Sequence, residues 1–289
     1  MLAGSGLEMG AKDSVRSARD VRPGIRPDTG SARDELRLVL ITQDDPFFLA
    51  ENLEYLFSHL PHGVSIVGCV VSDASPFGRR ESFLQKARKT RRVFGNAFFL
   101  RYATRFVLAR LNPHRQVLRV LRRHRIERID LDGSINSERS LEQLRIRAPD
   151  LLVSIAGNEL FKKRLISLAP KGCLNLHTAL LPKYRGLMPT FWVLKNREKE
   201  TGVSVFFVDE GIDSGPILVQ RRVEIGDMTQ EQLIRRTKRL GMDAILEALE
   251  KVRRGNLDTV PNDDSQKTYF SFPTRDDVRE FRKAGARFY

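Results

Sequence analysis

Long hydrophobic runs, cysteines and clustered metal ligands are scarce in this sequence, and each shortage excludes a class of protein. No run approaches the about 18 apolar residues that a transmembrane helix needs. Cys69 and Cys173 are the only cysteines, and both lie in apolar stretches typical of buried strands. Two buried thiols favour a reducing compartment over a disulfide scaffold. The five histidines are too scattered for a zinc site. We therefore expect a cytoplasmic protein that needs no metal.

The first 35 residues are rich in Gly, Ser, Asp and Arg, and they lack the apolar core of a secretory signal. So little apolar surface cannot offset the entropy lost when a segment becomes ordered. We interpret residues 1–35 as a disordered leader, and a targeting role stays open.

Positive charge is concentrated in one segment. The formal net charge is +14, and residues 77–128 hold 14 Arg and 2 Lys against Glu81 and Glu127, so the rest of the chain is neutral. Aromatic residues and leucines interleave with arginines between residues 94 and 111, which predicts one or two basic amphipathic helices. Three interpretations stay open: a solvated basic face over a core-facing aromatic stripe, an anionic membrane surface, or a phosphate-bearing ligand. We rank nucleic acid lower.

Alternating apolar runs and helical periodicity predict an α/β fold. Strands are expected at residues 36–45, 62–73, 129–131, 151–157 and 173–177, followed by a hairpin of 201–210 and 215–225. Helices are expected at about 46–60, 137–147 with Ser140 as a cap, 160–168 and 230–253. Strand–helix–strand order implies right-handed crossovers. The sequence thus predicts a Rossmann-like, mostly parallel sheet with helices on both faces and a short C-terminal extension.

Two polar residues close the last strand before a turn. In an open α/β sheet, ligands bind beyond the carboxyl ends of the strands, which is where residues 173–177 deliver Asn175 and His177. Alternation puts both on one side of the strand, about 7 Å apart. An amide and an imidazole together can polarise a carbonyl group and hold a proton. An isolated asparagine and histidine at a strand end are also typical of simple strand capping. The surrounding motifs therefore decide between capping and catalysis.

Those motifs resemble the formyltransferase family that uses 10-formyltetrahydrofolate. They are NLHTALLPKYRG at 175–186, IDSGPIL at 212–218, and the approach RAPDLLVSIAGNELFKKRLISLAPKGC at 147–173. Several ordered motifs are more specific than one short match. The resemblance covers about residues 36–225 and is weakest across 77–128. The family includes the methionyl-tRNA, glycinamide ribonucleotide and sugar-amine formyltransferases.

The resemblance implies a catalytic trio of Asn175, His177 and Asp213, with 10-formyltetrahydrofolate as formyl donor and no metal. Asn175 and a protonated His177 would donate hydrogen bonds to the oxygen that becomes negative when an amine attacks the formyl group. Asp213 would hold the imidazole protonated and accept the amine proton.

The resemblance also implies binding residues. The donor's pterin would contact the loop residues Asn158, Glu159, Leu160, Phe161, Asp209, Glu210, Gly211 and Ile212, although Leu160 and Phe161 are equally compatible with core packing. An anionic acceptor would contact Lys183, Tyr184 and Arg185, which could equally be solvated turn residues.

The length of the chain bears on the acceptor. Methionyl-tRNA formyltransferases carry an extra C-terminal β-barrel domain, and the 64 residues after position 225 leave too little room for one. We therefore expect a small amine acceptor, for example a nucleotide-linked aminosugar or a lipid-linked amine. The alternatives are a formyltetrahydrofolate hydrolase, an enzyme like the methionyl-tRNA formyltransferases, and a non-catalytic folate-binding protein.

The same reading divides the chain into segments. Residues 36–228 are expected to form the catalytic domain, with the basic insert at 77–128, and residues 229–289 a C-terminal helix and tail. The lipid-directed interpretation of the insert adds peripheral membrane attachment as an alternative to a purely cytoplasmic location. The sequence makes no prediction of the oligomeric state.

Overall fold

A computed structural model describes residues 35–72, 82–157 and 159–289. The leader predicted at residues 1–35 therefore lies, apart from Glu35, outside the described residues, and so does Asn158. Within those three ranges, no helix is long and apolar enough to cross a membrane.

A seven-stranded sheet forms the centre of the protein, in the order β3-β2-β1-β4-β5-β7-β8. The strands are β1 (Leu36–Gln43), β2 (Val64–Ser72), β3 (Arg128–Ile129), β4 (Leu151–Ile155), β5 (Cys173–His177), β6 (Arg185–Gly186), β7 (Glu200–Phe207), β8 (Ile217–Glu224) and β9 (Tyr269–Phe270). The first five strands in that order pair in parallel, whereas β7 is antiparallel to both β5 and β8. This arrangement confirms the mostly parallel sheet and the terminal hairpin predicted from the sequence.

The helices predicted from the sequence lie close to their expected positions, with two corrections, whereas the helices at residues 189–195 and 275–283 were not predicted. The helices are α1 (Leu49–Ser58), α2 (Phe83–Phe94), α3 (Asn96–Leu111), α4 (Val117–Arg123), α5 (Glu138–Arg145), α6 (Lys163–Ile166), α7 (Pro189–Lys195), α8 (Gln230–Arg253) and α9 (Arg275–Lys283). The cap of α5 is Ser137, whose side chain accepts from the amide of Ser140, so the role expected for Ser140 was wrong. Helix α6 is shorter than the predicted 160–168, because a neighbouring loop holds the residues before it.

Asn136 of the neighbouring loop holds the residues that precede α6. Its side chain donates to the carbonyl oxygen of Leu160 at 2.9 Å and accepts from the amide of Lys162 at 2.8 Å. Backbone groups that serve these bonds are not available for a first helical turn, so the helix begins only after them.

Helices cover both faces of the sheet. Leu38 and Leu40 of β1 pack in a core cluster with α1, α4 and α8, whereas Val39 and Ile41 pack in a second cluster with α5 and Leu165 of α6. The side chains of a strand alternate between its faces, so one apolar strand supplies both layers. This two-sided burial confirms the Rossmann-like fold class.

Helix α8 has the bounds predicted from the sequence, and it packs against β5. Thr229 caps it, with the reciprocal bond from Gln232 that completes a capping box. A Cβ atom added at Gly241 would lie 2.7 Å from the Leu176 side chain, so glycine allows α8 to approach β5 closely. The strand that carries Asn175 and His177 is thereby fixed against a 24-residue helix.

The C-terminal tail returns to the motif that follows β5. Strand β9 pairs in parallel with β6, which places Tyr269 opposite Arg185 and Phe270 opposite Gly186. A third core cluster joins the tail to α2 and α7, and Phe281 stacks on Phe191 at 4.8 Å between ring centroids. The division of the chain at residue 228 stays a prediction, although these contacts link residues on its two sides.

Candidate active site

His177 ends β5 and is held by the turn that follows. Its ring is buried, and its Nε2 lies 2.7 Å from the carbonyl oxygen of Tyr184. A carbonyl oxygen can only accept, so Nε2 carries the hydrogen and donates it. The backbone of Tyr184 adopts a φ of 59°, the left-handed conformation that turns its carbonyl group toward the histidine. The turn therefore fixes the orientation of the ring and requires that Nε2 carry a hydrogen.

Asp213 reaches His177 from the loop between β7 and β8. Because β7 runs antiparallel to β5, this loop starts beside the amino end of β5 and must fold back along it to meet His177. The Asp213 carboxylate accepts from the amide of Gly186 at 2.8 Å. The same oxygen lies 3.6 Å from Nδ1 of His177, which is too long for a strong hydrogen bond but close enough for charge pairing.

The two ring nitrogens of His177 have different neighbours. With Nε2 donating to Tyr184, a neutral ring would turn the lone pair of Nδ1 toward the Asp213 carboxylate. A protonated ring instead offers hydrogen to both neighbours. The arrangement therefore leaves Nδ1 as the ring nitrogen that faces the carboxylate.

Asn175 lies on the same face of β5 as His177, two residues earlier. The backbone of Asn175 pairs with Ser154 of β4 and Phe206 of β7, which holds the residue in the centre of the sheet. Its side chain is half-buried and has no hydrogen-bond partner among the described residues. A half-buried amide without a protein partner can bind a ligand's polar group at little rearrangement cost.

A cavity of about 150 Å³ opens beside His177. Its lining includes Leu49 and Asn52 of α1, Ala156 after β4, and Lys238 of α8. Strand order reverses between β1 and β4, and ligands in open α/β sheets bind at such a switch point. The cavity therefore lies where this fold places ligands.

A brace from the C-terminal tail holds the Asp213 loop, and sequence reasoning missed it. Asn262 donates to the carbonyl oxygens of Asp213 and Gly215, at 2.9 Å each. Its own side-chain oxygen accepts from Arg185 at 2.9 Å, and Arg185 also pairs with Asp264 at 2.8 Å. Only the polar Asn-Asp-Asp run at 262–264 hinted at this role.

The three residues predicted to contact the acceptor have different surroundings. Tyr184 donates its hydroxyl to Glu198 at 2.6 Å, and burial together with this bond raises the pKa of Tyr184 to about 12. Arg185 is only 4% exposed and is engaged by the brace, whereas Lys183 is exposed. Acceptor contact stays a prediction for all three, and Lys183 is the one whose side chain reaches solvent.

The first predicted donor loop is fixed by residues 134–136. Glu159 accepts from the hydroxyl of Ser134 and from the amide of Ile135. Leu160 is 52% exposed, and Phe161 is partly buried against a core cluster. Core packing therefore accounts for Phe161 but not for Leu160, whose exposed apolar side chain is free to contact a flat ring.

The second predicted donor loop is built around Asp209. Its carboxylate accepts from the amide of Gly211 at 3.0 Å and from the hydroxyl of Ser214 at 2.5 Å. Glu210 and Gly211 are exposed, while Asp209 and Ile212 are half-buried. Pterin contact stays a prediction for both loops.

Within the part of the chain that the structure describes, no three His, Cys, Asp or Glu side chains are grouped as metal ligands would be.

Comparisons with known proteins identify the family. The formyl transferase family profile matches residues 108–249. A methionyl-tRNA formyltransferase from Kosmotoga olearia is 41% identical over 50% of this chain and 47% of its own length. Another, from Thermotoga maritima, is 30% identical over 84% of this chain and 67% of its own length.

A solved structure shares the fold. It is an N-formyltransferase from Helicobacter canadensis in complex with folinic acid and dTDP-3-aminofucose, which superposes with a TM-score of 0.53 at 16% identity and covers 86% of this chain and 80% of its own. The chain spans about half the length of several curated relatives that it matches. With a 30% identical relative matched over two thirds of its length, this chain belongs to the formyltransferase family.

Proposed function

We propose that this chain transfers a formyl group from 10-formyltetrahydrofolate to the amine of a small-molecule acceptor. The observation that carries the proposal is the pairing of His177 with Asp213 at 3.6 Å, beside a cavity and on the strand face that bears Asn175. This combination offers hydrogen-bond donors for a developing oxyanion next to a base for the amine proton.

The reaction begins when the amine nitrogen attacks the formyl carbon and negative charge forms on the formyl oxygen. The Asn175 amide, which has no partner among the described residues, donates to that oxygen. Nδ1 of a protonated His177 is the second proposed donor, with its hydrogen shared between that oxygen and Asp213, because Nε2 is committed to Tyr184. Each such donor contributes about 10²–10³ in rate.

The protons then have to be moved. The attacking nitrogen becomes positive and gives up a proton to Asp213, directly or through water. The bond between the formyl carbon and N10 of the folate breaks, and N10 takes up a proton as it leaves. Asp213 is suited to this exchange because its loop is fixed by Gly186 and Asn262 while its carboxylate stays within reach of Nδ1.

The folate is proposed to lie between the loops at residues 158–161 and 209–212. The loop residues that the structure describes are rigidly held by side-chain bonds to Glu159 and Asp209, so their remaining backbone groups are preorganised for a flat ring. The Helicobacter canadensis structure with folinic acid supports a folate ligand for this fold.

The acceptor is proposed to enter through the cavity that opens on His177, with Lys183, Tyr184 and Arg185 contributing at its approach. A nucleotide-linked aminosugar is supported by the dTDP-3-aminofucose in the Helicobacter canadensis complex. Initiator tRNA is the second candidate, because the curated relatives at 30% identity and above are methionyl-tRNA formyltransferases.

The proposal is tested by incubating the protein with 10-formyltetrahydrofolate and a panel of amines. The panel should hold a nucleotide-linked aminosugar, an aminolipid and methionyl-tRNA, with products detected as a mass gain of one formyl group. We expect transfer to one class, and its loss in His177→Ala and Asp213→Asn. The exposed His62 supplies the matched control His62→Ala, which should keep full activity.

Two outcomes would contradict the proposal. Folate release that proceeds equally without any amine would identify a hydrolase. Unchanged turnover in both His177→Ala and Asp213→Asn would remove these residues from the chemistry.

A further inference from the structure

Helices α2 and α3 turn an aromatic face toward the body of the protein. Phe94 stacks on Phe98 at 4.7 Å between ring centroids, and Phe98 packs edge-on against Phe288 of the tail at 4.9 Å. Further along α3, Phe106 packs against Phe47 at 6.2 Å. This inner face accounts for how the basic insert is attached.

The outer face of the same helices is apolar as well. Six large apolar side chains are more than half exposed to solvent, from 56% at Val107 to 74% at Leu111. We call them the α2–α3 surface, and they are Phe83, Leu84, Leu100, Val107, Leu108 and Leu111. The four on α3 share one helical face by their spacing. A solvated basic face does not account for these six side chains. A group of exposed apolar residues on one surface marks an interaction site.

The exposed residues at the start of α2 and at the end of α3 lie at one end of the helix pair. Phe83, at the start of α2, packs against Phe106, in the last third of α3, at 5.9 Å between ring centroids. The helices therefore run in opposite directions, and the beginning of α2 lies beside the end of α3. Leu84 is thereby brought to the same end of the helix pair as Leu108 and Leu111.

Arginines flank the α2–α3 surface. On α2, Arg88 and Arg92 are exposed and have no ion-pair partner among the described residues, and both lie on the helical face of Leu84 by spacing. On α3, Arg101 lies over the ring of Tyr289 at 4.0 Å and Arg110 pairs with Asp44 at 2.6 Å. An apolar strip bordered by arginine is the composition of helices that lie in a membrane interface.

We propose that the α2–α3 surface binds an anionic lipid membrane. A second copy of this chain would bring the same arginine-rich surface into contact with itself, which like charges oppose. A nucleic acid offers phosphates but little apolar surface for the exposed leucines. An anionic bilayer offers both, because its headgroups bind the arginines while its acyl boundary buries the leucines.

Helix α3, which carries four residues of the α2–α3 surface, packs against the segment that leads into the cavity-lining helix α1. Phe47, two residues before α1, packs against Tyr102 of α3 at 5.0 Å. Leu49 and Asn52, which line the cavity, lie in the first turn of α1. Membrane binding would therefore hold the acceptor cavity close to the lipid surface, where an amine carried by a lipid is concentrated.

The test is co-sedimentation of the full chain with vesicles made of equal parts phosphatidylcholine and phosphatidylglycerol. We expect binding at low salt, weaker binding at high salt, and none to pure phosphatidylcholine. Leu108→Ser/Leu111→Ser should weaken binding about tenfold or more, since two exposed leucines lose their burial. Arg88→Gln/Arg92→Gln should weaken low-salt binding severalfold.

Matched controls come from exposed residues elsewhere. Ile146 is 73% exposed on another helix end, so Ile146→Ser removes an equally exposed apolar side chain. Arg139→Gln/Arg236→Gln removes two exposed positive charges outside the α2–α3 surface. Both variants should bind vesicles as the unchanged protein does.

Three results would overturn the proposal: no sedimentation with anionic vesicles at low salt, equal binding by the leucine variant and its control, or a dimer in light scattering that the leucine variant dissociates. Loss of RNA binding in the leucine variant without any vesicle binding would also reject it. None of these readouts requires formyl transfer, so the proposed function can fail or hold independently.

Discussion

The side-chain amide of Asn262 donates to the carbonyl oxygen of Asp213 at 2.9 Å, and it donates at the same distance to that of Gly215. A residue of the C-terminal tail thus holds both ends of the turn that presents the candidate base. Asp213 itself adopts a φ of 49°, a conformation that costs free energy for a non-glycine residue and needs such support.

Replacing Asn262 should reduce both catalysis and stability. We expect Asn262→Ala to reduce turnover by about tenfold or more, since small misplacements of a catalytic group are costly. The free energy of unfolding should fall by about 1–3 kcal/mol for the hydrogen bonds lost. Turnover and KM for the amine, measured beside chemical denaturation, separate the two effects.

The control for that variant is Asn256→Ala, an exposed asparagine in the same tail. If Asn262→Ala and Asn256→Ala had the same turnover, the hydrogen bonds from Asn262 would not be needed to position Asp213.

Gly186 connects the catalytic turn to the tail and tolerates no side chain. Its φ is 95°, and an added Cβ would lie 2.3 Å from the carbonyl oxygen of Phe270. We expect Gly186→Ala to push β9 from β6 and to withdraw the amide that holds Asp213. The loss of stability should be about 1–3 kcal/mol, with a loss of turnover, measured by thermal unfolding and assay.

Gly255 provides the comparison, because its φ is also positive at 74° but nothing lies within 4 Å of an added Cβ. Gly255→Ala should therefore show the backbone strain alone. Equal losses in the two variants would mean that the contact with Phe270 is unimportant.

Tyr184 predicts a dependence of stability on alkaline pH. Burial and the bond to Glu198 raise its pKa to about 12, whereas an unfolded tyrosine titrates near about 10. The stability linked to the neutral hydroxyl is fully present below about pH 10 and is lost as the pH rises toward about 12. The unchanged protein should therefore lose more unfolding free energy between about pH 9 and 11 than Tyr184→Phe. Parallel losses in denaturation experiments would contradict this coupling.

The two thiols should be inert in the folded protein. Burial raises the pKa of both Cys69 and Cys173, and the thiolate is the reactive form. We expect a thiol reagent at about pH 8 to leave the native chain unmodified and to label both residues once it is unfolded in guanidinium. Rapid labelling of either cysteine in the native protein would show that its strand opens.

The parts of the site that lie on one strand and its turn could be predicted from the sequence. Asn175 and His177 follow from a short apolar strand and a specific motif, and the full length of α8 follows from helical periodicity and the Thr229 cap. Such features depend on residues that are close in sequence.

The parts that depend on distant residues could not be predicted. Asn262 meets Asp213 across 49 positions, and no local pattern marks that meeting. Arg185, in the middle of the motif, looked available to a ligand, but Asp264 engages it from the tail. The sequence did not show which apolar residues of α3 face the core, and the structure leaves Leu100, Leu108 and Leu111 exposed.

The hydrogen bonds from the tail also bear on how the chain folds during its synthesis. During synthesis, His177 and Asp213 emerge from the ribosome well before Asn262 and β9, so a nascent chain can form its strands while the Asp213 turn still lacks support. We expect the chain to become competent only when residues 262–270 have folded back. Under the proposed function, an unfinished chain would then neither hydrolyse the formyl donor nor transfer its formyl group to a wrong amine.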